Sequence, residues 1–273
     1  MDSIDKTAKT YEYLWLKNKN VAPVYKWHFD SMQDAIVKPI VTGLMGIDAG
    51  SGCGYDTYIM AKNNPPVKII SLDISDGVYK TKELTKELSN VWVVKGSVLN
   101  MPFKDNVFDF AYSFGVLHHT PAPKRGLKEI GRVIKKEKAA YLYLYEDHSE
   151  NMIKYFILKI VAVLRYITIM IPKKILHIFS FLASPFVVVF FAYPSKIFRR
   201  FRLTKRLGEE MPFNFGTHLF SLTGDLYDRF GAPIEFRFSR KQAQNLFSEN
   251  GFHDVNITRL KNTAGWAIWG YKN

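Results

Sequence analysis

"GIDAGSGCGYDT", residues 46–57, sets the architecture of this chain. It follows a β-rich run, Leu44 to Asp48, and opens a helix-forming one. Gly50, Gly52 and Gly54 permit both a tight turn and close backbone approach by a ligand. A dinucleotide-binding fingerprint needs a glycine three residues after the second one, and Tyr55 stands there instead. The spacing is D-x-G-x-G-x-G, with Asp48 at the strand's end.

Outward from this turn the first 150 residues alternate β-rich runs with helical stretches, as expected of a parallel sheet covered by helices. Leu44 to Asp48, Val67 to Asp73, Val91 to Lys95, Val107 to Ser113 and Ala139 to Glu146 are the predicted strands. "GVYKTKELTKEL" and "KRGLKEIGRVIKKEK" place apolar residues at helical spacing with charges opposite. Residues 207–238 read as a loop rich in Gly, Pro and aromatics. Ser239 then suits the N-cap of "RKQAQNLFSEN", closed by Gly251. "VNITRL" and "WAIWGY" alternate as two final strands around a "KNTAG" hairpin turn. The expected fold is α/β: a Rossmann-like, seven-stranded, mostly parallel sheet with helices on both faces. Residues 1–40 form a lead-in, 41–150 the core, 151–206 an apolar basic helical insert between the fifth strand and the last helix, and 207–273 complete the sheet.

The D-x-G-x-G-x-G turn resembles the first motif of the class I S-adenosylmethionine (SAM)-dependent methyltransferases of the type 11-like kind, and later segments agree with it in order and spacing. "IISLDIS" is similar to the family's second strand, and "KGSVLNMPFKDNVFDFAYSFGVLHHTPAPKRGLKEIGRVIKKEKAAYLYLYE" to the stretch from the third strand through the fifth. The resemblance covers residues 40–150, and the last 35 or so in topology. It implies SAM as cofactor, with Asp73 at the ribose hydroxyls, where a carboxylate can accept from both. It further implies Asp48, Gly50, Ser51, Gly52, Gly54, Ile74, Ser97, Val98, Ser113, Phe114 and His118 around the cofactor. Ser97 departs from the pattern, because the family usually carries an acid there, near the adenine amino group.

Ligands of open α/β sheets lie beyond the carboxyl ends of the strands. A base acting on the methyl acceptor is therefore expected at His148 or Glu146, after the fifth strand, or at His218 in the aromatic loop. Tyr11, Tyr13 and Trp15 either line a lid over the cofactor or pack on the domain's edge. No Cys/His cluster points to a metal and no Gly-Lys-Ser/Thr turn to a nucleoside triphosphate.

The net charge of +13 is concentrated: residues 151–206 hold eleven Lys and Arg and no Asp or Glu, leaving +2 to the rest. The same segment contains "ILHIFSFLASPFVVVFFAY" (175–193), which has no charge apart from His177. A single membrane crossing there would part the last strands from the sheet they complete. A two-span hairpin would put Lys159 and Arg165 at depth, at roughly 2.5–3.5 kcal/mol each. A helical hairpin lying in the interface, broken at Pro172 and Pro185, meets both objections; the alternative is a cap whose apolar surface packs on itself or on a second copy. The expected partners are an anionic membrane surface and a lipid-linked or lipophilic small-molecule acceptor, methylated on O or C, with nucleic acid disfavoured. The N-terminal residues carry no apolar run before a cleavage site and Cys53 is the lone cysteine, which predicts a cytoplasmic, peripherally membrane-associated enzyme. The competing readings are an RNA methyltransferase, suggested by the pI near 9.6, and a non-catalytic membrane-bound scaffold on the same fold. The sequence fixes no oligomeric state.

Overall fold

Along the central strands successive side chains enter two different apolar layers, which is why these runs read as hydrophobic on both faces. The computed structural model describes residues 3–17, 30, 40–211, 219–260 and 265–273. Its strands are β1 (Met45–Ala49), β2 (Lys68–Asp73), β3 (Val91–Lys95), β4 (Phe108–Phe114), β5 (Ile134–Tyr145), β6 (Phe252–Arg259) and β7 (Gly265–Lys272). They form one sheet in the order 3-2-1-4-5-7-6. β1 to β5 pair in parallel, and β7 runs antiparallel between β5 and β6. The helices are α1 (Ser3–Lys17), α2 (Tyr55–Asn63), α3 (Gly77–Leu84), α4 (Pro123–Val133), α5 (Met152–Thr168), α6 (Lys173–Val187), α7 (Tyr193–Phe198), α8 (Lys205–Glu210), α9 (Leu219–Gly231) and α10 (Arg240–Ser248).

Ala140, Leu142 and Leu144 of β5 face the layer filled by Leu127 and Ile130 of α4 and Phe247 of α10. Ala139, Tyr141 and Tyr143 face the opposite layer, with Met60 of α2. The sheet is thus covered on both sides, as the sequence predicts. Ser239 caps α10 in a reciprocal box: its Oγ accepts from Gln242 N (3.2 Å), and Gln242 Oε1 accepts from Ser239 N (2.9 Å).

Three expectations change. The helix predicted through Lys138 ends at Val133, and β5 begins five residues before Ala139. Ile134 is fully buried and pairs with Phe108, while Lys135 bonds Asp109 (2.7 Å). An irregular register between Phe108 and Phe110 and a left-handed Glu137 absorb the extra length. The loop expected over 207–238 contains α9 and most of α8. In α9, Leu222 and Leu226 sit four apart and bury against Val187 and Val188. Pro185 does not break the insert: it lies inside α6, which continues through a π turn, Val188–Ala192, into α7. Pro172 does mark a boundary, at the N-cap of α6. The side chain of the predicted lid residue Trp15, the second lead-in helix and most of the "KNTAG" turn lie outside what is described of the structure.

The insert joins the core through polar as well as apolar contacts. Arg165 of α5 pairs with the buried Glu235 (2.7 Å), which also pairs with Arg237 (2.7 Å). Arg165 is therefore a protein-facing cation. On α6 and α7 the buried positions include Ser180, Ser184 and Ser195. Ser184 Oγ lies 2.9 Å from Thr223 Oγ1 of α9, and Ser195 Oγ donates to Gly208 O (2.7 Å).

Candidate active site

From β1 the chain steps outward through β2 and β3, then returns to β4 on the other side of β1. At such a switch point the loops leaving the two neighbouring strands diverge and open a crevice at their carboxyl ends. A cleft lies there, walled by the 50–56 turn, the ends of β2 to β4 and the inner face of α1.

The glycine turn is held before any ligand arrives. Gly50 and Ser51 donate their N–H groups to Leu72 O (2.7 and 2.9 Å), and Gly52 N donates to Asp73 Oδ2 (2.8 Å). Gly50 has φ 100°, and a Cβ on it would stand 2.4 Å from Val116 Cγ1, so only glycine lets β1 turn this close to the loop after β4. Asp73 Oδ1 accepts from the backbone N and the hydroxyl of Ser75 (2.8 and 2.6 Å). Three of roughly four acceptor positions on that carboxylate are thus engaged in the protein itself.

Of the residues expected around the cofactor, Gly50, Ser51, Gly52, Asp73, Ile74, Ser97, Val98 and Phe114 line the cleft. Gly54 sits behind it as the left-handed residue that starts α2. Asp48 lies beneath the turn, fully buried, accepting from Thr57 Oγ1 (2.6 Å). Burial, and then the charge of Asp56, push its carboxyl well above the usual range. Its work is to fix the first turn of α2. Ser113 also points inward, donating to Ala49 O (2.6 Å) and tying β4 to β1.

The histidine pair after β4 divides differently from expectation. His118 is fully buried, its ring stacked on Tyr145 at 4.0 Å, and is absent from the cleft wall. His119 lines the cleft. Its Nδ1 is 2.8 Å from Ile234 O. A carbonyl can only accept, so Nδ1 carries the proton and Nε2 holds the lone pair. Burial lowers the pKa of His119 and keeps the ring neutral at pH 7. Beside it, Tyr11 of α1 hydrogen-bonds Asp228 of α9, and Tyr145 OH donates to the same carboxylate (2.9 Å). Tyr11 and His119 rings stand 5.0 Å apart. Tyr13, the second lid candidate, turns away from the cleft and packs on Tyr227 and His177.

Glu146 and His148 stand away from the cleft. Glu146 is buried in a two-pronged pair with Arg259, Arg259 Nε lying 2.9 Å from Oε2. His148 Nδ1 is 3.3 Å from Glu146 Oε1, and burial with the charge of Arg237 pushes its pKa down to about 4. The strand end that carries them is spent on joining β5 to β6. His218 lies outside the described residues.

Sequence reasoning missed Asp56. This carboxylate lines the cleft in the first turn of α2, has no hydrogen-bond partner on Oδ1, and is pushed up to about 7 by burial. Ser51 Oγ is likewise buried without a partner in the same wall. Buried polar atoms are normally satisfied, so both mark where a polar ligand belongs. Asp56 could have been suspected as the acid just past the glycine turn. Asp228 gave no such signal, because nothing in the sequence links α9 to α1.

Residues 47–142 match the family described as "Methyltransferase domain". Among curated relatives, the tRNA (carboxymethyluridine(34)-5-O)-methyltransferase of Saccharomyces cerevisiae is 37% identical over 106 residues, 36% of each chain. The demethylmenaquinone methyltransferase of Staphylococcus carnosus is 35% identical over 96 residues, 34% of this chain and 39% of that one. The chain spans less than half the length of the curated relatives it matches. The crystal structure of a SAM-dependent methyltransferase from Thermotoga maritima superposes with a TM-score of 0.55 at 15% identity, covering 98% of this chain and 100% of that one, and so shares its fold.

Proposed function

We infer that this chain, whose residues 47–142 belong to the methyltransferase-domain family of the class I SAM-dependent fold, is a methyltransferase that transfers the methyl group of SAM to O or C of a lipophilic or lipid-linked small molecule at the cytoplasmic face of a membrane. The observation that carries the reading is the cleft at the switch point, where the glycine turn and Asp73 converge with two buried, partnerless oxygens.

The residues present fit the cofactor. Asp56 and Ser51 supply an anion and a hydroxyl for its amino-acid end, Asp73 an acceptor for its ribose, and Ser97 with Val98 the wall for its base. SAM supplies an already activated methyl on a sulfonium, which leaves the protein to align, to exclude water and to manage one proton. Ile4, Thr7, Ala8 and Tyr11 of α1 close the cleft from above. His119 is the proposed base: it is neutral, its tautomer is fixed by Ile234 O, and it lies where the cleft meets the Tyr11–Asp228–Tyr145 cluster.

A lipophilic acceptor is supported by the exposed apolar insert next to α1 and by the quinone named for the Staphylococcus relative. The yeast relative favours a second reading, an RNA acceptor. The cations here alternate with exposed Phe, Ile and Leu, whereas a nucleic-acid surface is polar as well as basic. Incubation with methyl-labelled SAM and separate lipid, RNA and protein extracts tests both. We expect label in the lipid extract; label in RNA would reverse the acceptor assignment, and calorimetry showing no SAM binding at high micromolar concentration would leave a non-catalytic scaffold.

A further inference from the structure

The structure assigns the outer face of α6, continued through the π turn into α7, to one occupant: we propose that it docks flat on an anionic lipid bilayer. A helix in water turns its apolar stripe inward and its polar residues out. Here the outer side is apolar as well. The buried side of the run carries Leu176, Val187, Val188 and Ala192 together with Ser180, Ser184 and Ser195, whose hydroxyls are satisfied by Leu176 O, by Ser180 O and Thr223, and by Gly208 O. The outer side carries Ile178, Phe179, Leu182, Phe186, Val189 and Phe190, each more than half exposed. Serines interleaved with apolar residues on the protein side, and large apolar residues on the outer side, suit a helix whose outer surroundings are hydrocarbon.

Charge selects among apolar occupants. The exposed stretch is entered through Lys173 and Lys174 and left through Lys196, Arg200, Arg202 and Lys205, and no acid occurs from 151 to 206. A second copy docking through the same face would bring like charges together. A bilayer with anionic head groups offers hydrocarbon and counter-charge at the right depths. Lys173–Phe198 is long and apolar enough to cross a membrane: it has 26 residues and contains an 18-residue window of mean hydropathy 2.2. Crossing would strip its inner face from α9, breaking the Ser184–Thr223 bond and the Val187, Val188, Leu222, Leu226 cluster. Lying flat keeps every one of these contacts. The surface would place the cleft beside the source of a lipophilic acceptor, and in that respect rests on the reading above.

The test is flotation of the full chain with vesicles of phosphatidylcholine alone or with about 30 mol% phosphatidylglycerol. Two variants accompany it, F179S/F186S/F190S and R200E/R202E/K205E. We expect recovery only with the anionic vesicles, weakened by salt, and a fall in partition of about a hundredfold in each variant. Equal recovery on neutral vesicles, or variants that float as well as the parent, would overturn the proposal. So would a dimer by light scattering that F179S/F186S/F190S converts to monomer with no vesicle binding, which would assign the face to a second copy. Calorimetry with SAM on every variant separates the two readings. Flotation without SAM affinity would sink the methyltransferase and leave the docking surface, whereas SAM affinity without flotation would do the opposite.

Discussion

Asp56 pits binding against stability. Its folded pKa of about 7 lies above the ordinary carboxylate value of 3.8. The fold therefore disfavours the charged form, and stability declines as pH rises from 3.8 through 7. D56N removes that penalty. In the cofactor-free protein at pH 8 we expect a gain on the order of 1 kcal/mol after solvent screening, seen as a higher melting temperature, together with weaker SAM binding by calorimetry. His119 is tested by its pH profile. Its pKa is lowered by burial, so the neutral base persists below 6.5 and kcat/KM should fall only in more acid solution. H119N should lose that acid limb and about a hundredfold in kcat while leaving SAM affinity within a few-fold; an unchanged profile would return His119 to a packing role. For Asp73 the expectation is compound, because it orders the turn as well as facing the ligand. D73N should weaken SAM by roughly 10- to 100-fold, from the loss of charge-assisted bonds, and lower the melting temperature through Gly52 and Ser75.

At the scale of the element, the apolar outer face of α6 predicts that its large exposed side chains matter less to stability than its buried serines. S184L forces a larger side chain against Thr223 and should cost about 1–3 kcal/mol in denaturant unfolding, whereas F186S on the outside should shift it by less than about 0.5. A soluble amphipathic helix would give the opposite ranking. The strands and the glycine turn were legible because strand periodicity and left-handed glycines are local signals. The insert was legible as apolar and basic, but which side faced protein was not: serine on the buried face is a fact about α9, which the sequence hid behind glycine and aromatics. Likewise "LHH" named two histidines, and only the carbonyl of Ile234, 115 positions away from His119, decides which of them reaches the cleft.

For the whole molecule, the insert and core are joined by a buried ionic knot, Arg165–Glu235–Arg237. E235A would leave two buried guanidinium groups without their counter-charge. We expect a loss of about 3–5 kcal/mol in urea unfolding, or a biphasic transition if the insert detaches first. Seven β-rich runs in one mostly parallel sheet, ending in a hairpin, were readable in the sequence; the order that puts β7 between β5 and β6 was not. The route by which α1 closes the cleft was not. It depends on Tyr11 meeting Asp228, 217 residues apart in the chain.

The position of β7 also constrains the order in which a nascent chain can assemble. β6 emerges from the ribosome before the strand that must sit between it and β5, and α6 emerges before α9, which covers its serines. From Met152 to Gly231 translation at 5–20 residues per second takes roughly 4–16 s. During that interval the face of α6 that α9 covers lacks its partner, and only α1, through Leu14 and Tyr13, is available to pack on Leu176 and His177. A bilayer encountered then would act as a holdase before it acts as a docking surface, so synthesis in the presence of anionic vesicles should raise the soluble or floated yield over aggregate.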